Sequence, residues 1–178
     1  IGTLAAGSMP PEWLAAARSA FDAILHELWD GNTLFQSARN GTRKHLATLD
    51  GYASLIESAI LLHALTAETG YLSQARALTD SSIRKFWNGE ADAFDFTSRD
   101  ARDIIVRSCF GTDDATPNGN AVMASNLLKL ARLADDASYE DKANRIIGRF
   151  SAQALQQPLA YATMLNAAAL RADTIEAV

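Results

Sequence analysis

The strongest constraint on this 178-residue chain is an apolar frame that occurs three times. Trp13 and Ala17 lead through Phe21, Ile24 and Leu28 to Trp29. Tyr71 and Ala75 lead through Leu78 and Ile83 to Phe86 and Trp87. Tyr139 and Ala143 lead through Ile146 and Ile147 to Phe150. The frames start 58 residues apart (13 to 71) and then 68 apart (71 to 139). The first offset also carries Trp29 onto Trp87, each followed by a short polar turn. Apolar residues about one turn apart predict amphipathic helices with one buried stripe. Between the frames, segments 53–68 and 121–135, and a similar one at 160–172, are rich in Ala, Leu, Ile and Ser and poor in charge. A helix apolar on most sides is buried on most sides. The chain therefore reads as all-α, with an inner helix followed by an outer helix, repeated.

The connections alternate in length. Inner-to-outer turns are short, Thr69-Gly70 and 136–138, and Gly70 is expected as a left-handed cap. Outer-to-inner returns are long at 30–51 and 88–119, whereas the third, near 156–158, is short. The alternating residues of Ala93–Thr97 and the β-branched Ile104–Arg107 predict a small β-hairpin in the second return. Long loops in a compact domain are usually functional. Because helix direction alternates, both long returns must leave from one end of the bundle.

A formal charge of −5 without a Lys/Arg cluster argues against nucleic acid as a partner. No apolar run reaches the roughly 18–20 residues that span a bilayer, so no membrane partner is expected. Cys109 is the only cysteine, which rules out an internal disulfide and a thiolate zinc site and fits a reducing, cytoplasmic compartment. His26, His45 and His63 lack metal-ligand spacing, and no GxGxxG or GxxxxGK[ST] phosphate loop is present, so neither metal nor cofactor is expected. The frame run backwards puts Ile1–Ala6 at the end of an inner helix, with Pro10 and Pro11 opening the first outer one. Residues 1–178 thus read as one domain cut from a larger ring.

Four segments carry a resemblance: Leu34–Gly41 (LFQSARNG), Leu49–Ala53 (LDGYA), Phe94–Thr97 (FDFT) and Asp114–Asn120 (DATPNGN). In this order they resemble the helical region of the thioredoxin-domain family that includes spermatogenesis-associated protein 20. The resemblance implies an (α/α)6 toroid, the six-hairpin architecture of several glycosidases and of the N-acylglucosamine 2-epimerase group. It implies a fold more than a reaction. The family's thioredoxin-like domain and its CxxC are not in this sequence. Gly51 stands where the family commonly has a second acidic residue, which tells against a paired-carboxylate site. Asn118 and Ala121 stand where it commonly has serines, and none of the three histidines matches an epimerase catalytic position.

Candidate catalytic residues are Asp50, Asp114 and Glu57. Asp50 stands where a long return meets an inner helix, placed to act as acid or base or to cap that helix. Tyr52 is a candidate stacking wall beside it. Glu57 lies one to two turns further on, where an acid on an apolar helix is either functional or paired. Asp114 occupies the matching place before the next inner helix, with Asn118 and Asn120 as amides suited to hydroxyl-rich ligands, Asn120 also being a good N-cap. Arg39 and Arg107 either clamp an anionic group or tie their loops to Asp50 or Asp114. Trp13, Tyr71 and Tyr139, each opening an outer helix, read as core.

Two functions compete. One is a six-hairpin glycosidase-like domain that binds or processes a carbohydrate where the long loops converge. The other is a non-catalytic scaffold for a partner or for a thioredoxin-like domain, self-associating through exposed helical edges. A helical solenoid fits less well, because its repeats run about 34–47 residues.

Overall fold

The structure, a computed structural model, describes residues 10–102 and 104–176. The expected inner helix at Ile1–Ala6 lies outside the described residues. Six helices carry the fold: α1 (Pro11–Leu28), α2 (Leu49–Thr66), α3 (Thr69–Phe86), α4 (Gly119–Ala134), α5 (Ala137–Gln156) and α6 (Ala162–Glu176), the last entered through a 3-10 turn at Pro158–Tyr161. α2 packs antiparallel to α3 and α4 to α5, while α2, α4 and α6 lie side by side as the inner layer. The inner helices supply much of the core: Ile56, Ala59, Met123, Ala124, Leu127 and Leu130 are fully buried. The outer helices present one stripe each, Tyr71, Ala75, Leu78 and Phe86 on α3 and Tyr139, Ala143, Ile146 and Phe150 on α5.

The repeated frame holds in detail. Trp29 forms an antiparallel bridge with Leu34, and Trp87 pairs with Phe94, so each of these two outer helices ends in a tryptophan that reverses the chain. Trp13 breaks the pattern. Tyr71 and Tyr139 are buried as expected, but Trp13 is 64% exposed. Its helix packs on α2 and on the first strand, and Phe21 is its one buried residue.

The strands differ from expectation. A full antiparallel hairpin forms in the first return, β1 (Phe35–Arg39) with β2 (Thr42–Leu46), turning at Asn40 and Gly41, both at positive φ. In the second return β3 (Trp87–Asn88) pairs with β4 (Ala93–Phe94), and Ile104–Arg107 is no strand. The Arg107 guanidinium donates instead to the carbonyls of Ser98, Arg99 and Ala101, folding that segment into a loop. The left-handed cap is not Gly70 either. Ala67 (φ 59) ends α2 and Asp135 (φ 51) ends α4, while Gly70 sits inside the first turn of α3.

Candidate functional site

Both long returns close over the N-termini of α2 and α4, as the alternation of helix direction requires. The Leu49 N–H donates to the Phe96 carbonyl (3.0 Å), joining the start of α2 to the second return. Asn120 makes the matching join from α4. Its side-chain oxygen accepts the Phe94 N–H (2.8 Å), and its amide donates to the carbonyls of Phe94 (3.0 Å) and Phe110 (3.1 Å). One amide thus stands in for a missing strand.

Asp50 lies at this junction. Thr48 occupies the N-cap of α2 and makes no side-chain cap bond, so Asp50, at the second helical position, is not that helix's cap. Its half-buried carboxylate reaches across to the backbone N–H of Gly119, the first residue of α4. Burial pushes its pKa above the usual carboxylate value, and the Gly119 N–H offsets only part of that. Among the described residues no cation pairs with it. Gly119 is required here, because a Cβ would collide with Asp50 Oδ1 and stand 3.1 Å from Leu49.

The other candidates divide. Asn118, rather than Asn120, is the N-cap of α4. Its oxygen accepts the N–H groups of Asn120 (2.9 Å) and Ala121 (3.4 Å), and its amide donates to the Thr112 carbonyl. Tyr52 is 1% exposed, its hydroxyl accepts the Leu34 N–H (2.8 Å), and its ring meets Trp29 and Phe86 edge-on. It has no face to offer a ligand. Arg107 ties its loop to carbonyls rather than to Asp50 or Asp114. Glu57 faces Lys129 of α4 (3.8 Å) on partly exposed helix surface. Asp114 is exposed on the return that ends at α4, and Arg39 is exposed beside the β1–β2 turn. The structure therefore gathers Asp50, Asn118 and Asn120 and leaves Glu57, Asp114 and Arg39 outside that cluster.

Three residues at the rim escaped the sequence reading. Asp113 does the tying expected of its neighbour: one carboxylate oxygen accepts the Asn118 N–H and the other the Thr163 N–H of α6, both at 2.9 Å. Phe96 and Phe110 lie with ring centroids 5.4 Å apart and pack against Leu49, Asp50 and Asn118–Asn120, leaving no room between them for a water-sized molecule. An aromatic two residues after Phe94 was visible as a signal for Phe96, whereas Phe110 sits in a stretch without periodicity. Next to them, a groove of about 450 Å3 runs between His45–Thr48 and residues 97–102 with Ile104. Its size suits a ligand site. Burial, and Asp95 after it, push the nearby Cys109 thiol above its ordinary pKa, which disfavours the thiolate. Among the described residues, no group of three or more His, Cys, Asp or Glu side chains is placed to hold a metal ion, and no helix is long and apolar enough to cross a membrane.

No protein-family model matches the chain. It is similar to an uncharacterized protein of Caenorhabditis elegans, at 28% identity over 124 residues. It is also similar to spermatogenesis-associated protein 20 of Rattus norvegicus (25% over 131 residues) and of Homo sapiens (24% over 131 residues). These alignments take in 70% to 73% of this chain but 17% of each relative, so the chain spans about a sixth of their length. Among solved structures it is similar to a GH76 alpha-mannanase of Bacteroides thetaiotaomicron, with a TM-score of 0.73 over 93% of this chain and 47% of that one. At 12% identity that likeness shows the fold alone: a partial (α/α)6 toroid of alternating inner and outer helices. The resemblance carried by the four motifs is borne out.

Proposed function

We propose, from a chain similar to the helical region of the thioredoxin-domain family and folded as part of a six-hairpin glycosidase-like toroid, that its rim receives a carbohydrate and that Asp50 is the acidic group meeting a sugar hydroxyl. The observation that carries this reading is the Asp50 carboxylate itself. It is half-buried, unpaired with any described cation, and sits between the starts of two inner helices. A charge held that way costs stability, and groups so held cluster at functional sites. Exposed Asp114 and Arg39 are the groups available to the outer parts of a ligand. Glycoside cleavage needs two carboxylates about 5–9.5 Å apart across the bond. Gly51 leaves Asp50 without an acidic sequence neighbour, and Glu57 is turned to Lys129, so we assign recognition rather than cleavage to this segment.

The test is a double variant, Asp50→Asn with Asp114→Asn, screened against an immobilised glycan panel that includes α-mannan. Binding by the parent and its loss in the variant, with the melting temperature unchanged or raised at neutral pH, is the expected result. Retained binding, or a stability loss of several kcal/mol, makes these residues structural.

A second reading is favoured by the use of Tyr52, Arg107, Asn118 and Asn120 in the fold's own bonds. It is a non-catalytic scaffold whose open flanks meet a second copy, a partner or a thioredoxin-like domain. The lone, protonated Cys109 suits a reducing, cytoplasmic setting for either.

A further inference from the structure

We infer that the groove between the end of β2 and the second return takes the acidic end of a sugar, a carboxylate or a phosphate, and that Arg102 is the cation that meets it. This rests on the carbohydrate reading of the rim and names both the ligand class and the place where its charged group lies.

The groove has room for a ligand, about 450 Å3, and polar groups line both of its sides. His45 and Thr48 stand on one side, and Thr97, Ser98, Asp100 and Arg102 on the other. Several of them are not satisfied by the fold itself. Thr48 occupies the N-cap of α2 yet makes no side-chain cap bond. The Thr97 hydroxyl oxygen is buried without a hydrogen-bond partner, a state that folded proteins seldom leave standing. His45 holds a left-handed φ of 57°, and strained backbone of this kind gathers at functional sites.

The charges of the described lining residues do not cancel. Asp100 is matched by Lys85, whose Nζ lies 2.5 Å from Oδ2 and which is 9% exposed. Arg99 and Arg107 donate to backbone carbonyls, Arg99 to Trp87 and Arg107 to Ser98, Arg99 and Ala101. Arg102 is exposed on the groove and has no acidic partner among the described residues. A cation is thus left over at this recess, in a chain whose formal charge is −5. A cleft with an excess of one sign concentrates ligands of the other. A guanidinium presents a planar fork of N–H donors that fits a carboxylate or a phosphate. The bond from Arg107 to the Ala101 carbonyl and that from the Ala101 N–H to Ser98 (3.1 Å) hold the backbone from which Arg102 extends. A lip fixed beforehand loses little freedom when the anion binds. For the remainder of the sugar, the Thr48 hydroxyl and the His45 ring both donate and accept.

The experiment uses the full chain and four probes measured by calorimetry: methyl β-glucoside, methyl β-glucuronide, glucose 6-phosphate and inorganic phosphate. At least one acidic sugar should bind about 10-fold or more tighter than the neutral glucoside, and the tighter of the two names the anion. Arg102→Ala should remove that advantage and Arg102→Lys should keep part of it. Both variants should melt with the parent, because the side chain is exposed. Arg132→Ala, the same change of charge on the last turn of α4, should leave every affinity as it was. If acidic and neutral sugars bind alike, or Arg102→Ala weakens the acidic ones no more than Arg132→Ala does, the groove assignment fails while the carbohydrate reading stands. Inorganic phosphate held as tightly as glucose 6-phosphate marks a plain ion site and also overturns it. If none of the sugars here or on the glycan panel binds up to millimolar concentration, both readings fall.

Discussion

Gly119 makes the Asp50 geometry possible, because only a residue without Cβ lets the start of α4 approach the carboxylate. The consequence appears in pH dependence. Folding raises the pKa of Asp50 above its ordinary value of 3.8, so the folded state holds the proton more tightly than the unfolded one. The stability this group contributes is complete below pH 3.8 and is lost as pH rises through the folded value. Asp50→Asn keeps an oxygen for the Gly119 N–H but has no charge to desolvate. Thermal melts of variant and parent should therefore coincide at the acid end and separate above it, the variant melting higher at neutral pH. A variant that melts lower at pH 7 and equally at pH 4 would mean that the ionised form is stabilised. Sequence reading found Asp50 from its place before an inner helix. It mistook the helix that Asp50 serves, because a carboxylate reaching a helix 69 residues away (50 to 119) leaves no local trace. The Asn118 and Asn120 roles were exchanged for a related reason: both are cap-type residues, and only the contact with Phe94 tells which one faces the loop.

At the scale of elements, the period of the apolar residues located all six described helices to within a few residues, since each buries a stripe that the pattern encodes. The strands were less legible. β1 and β2 are largely exposed and carry Gln, Ser, Arg, Thr and Lys, so no apolar alternation marks them. They are held by backbone ladders and by Arg43, which donates to the carbonyls of His26, Glu27 and Trp29 at the end of α1. Helix ends were misjudged where the chain accepts strain. Ala67 takes a left-handed conformation at about 1–2 kcal/mol above the ordinary one. Ala67→Gly removes that strain but also loosens the unfolded chain, for an expected gain near 0.5–1 kcal/mol. Urea denaturation at constant slope measures it, and an unchanged or lower midpoint contradicts the strain. The His63 ring accompanies this turn, with Nδ1 2.9 Å from the Glu68 carbonyl.

For the molecule as a whole, the six described helices form two inner–outer hairpins flanked by α1 and α6, and the chain covers 47% of the six-hairpin structure it resembles. Trp13 and Ile24 on α1, Leu61 on α2 and Leu133 on α4 stand 40% or more exposed. On the scaffold reading these are the residues that a second copy would cover. At tens of micromolar the chain should sediment as a dimer or larger species, and Trp13→Glu with Leu61→Glu should return it toward monomer. A parent that sediments as a single monomer species removes the self-association part of the scaffold reading and leaves the rim untouched.

The rim is stitched in part by partners far apart in the chain, such as Asn120 with Phe94, 26 residues away, and Asp113 with Thr163, 50 away. Closing such contacts requires the inner helices to stand side by side first, since loop-closure entropy rises with the separation bridged. The rim bonds therefore hold only while the inner helices stand side by side. A ligand that bridges Asp50 and the second return would act as a late clasp, and its grip would be felt as slower opening of those loops rather than as a change in the helices beneath.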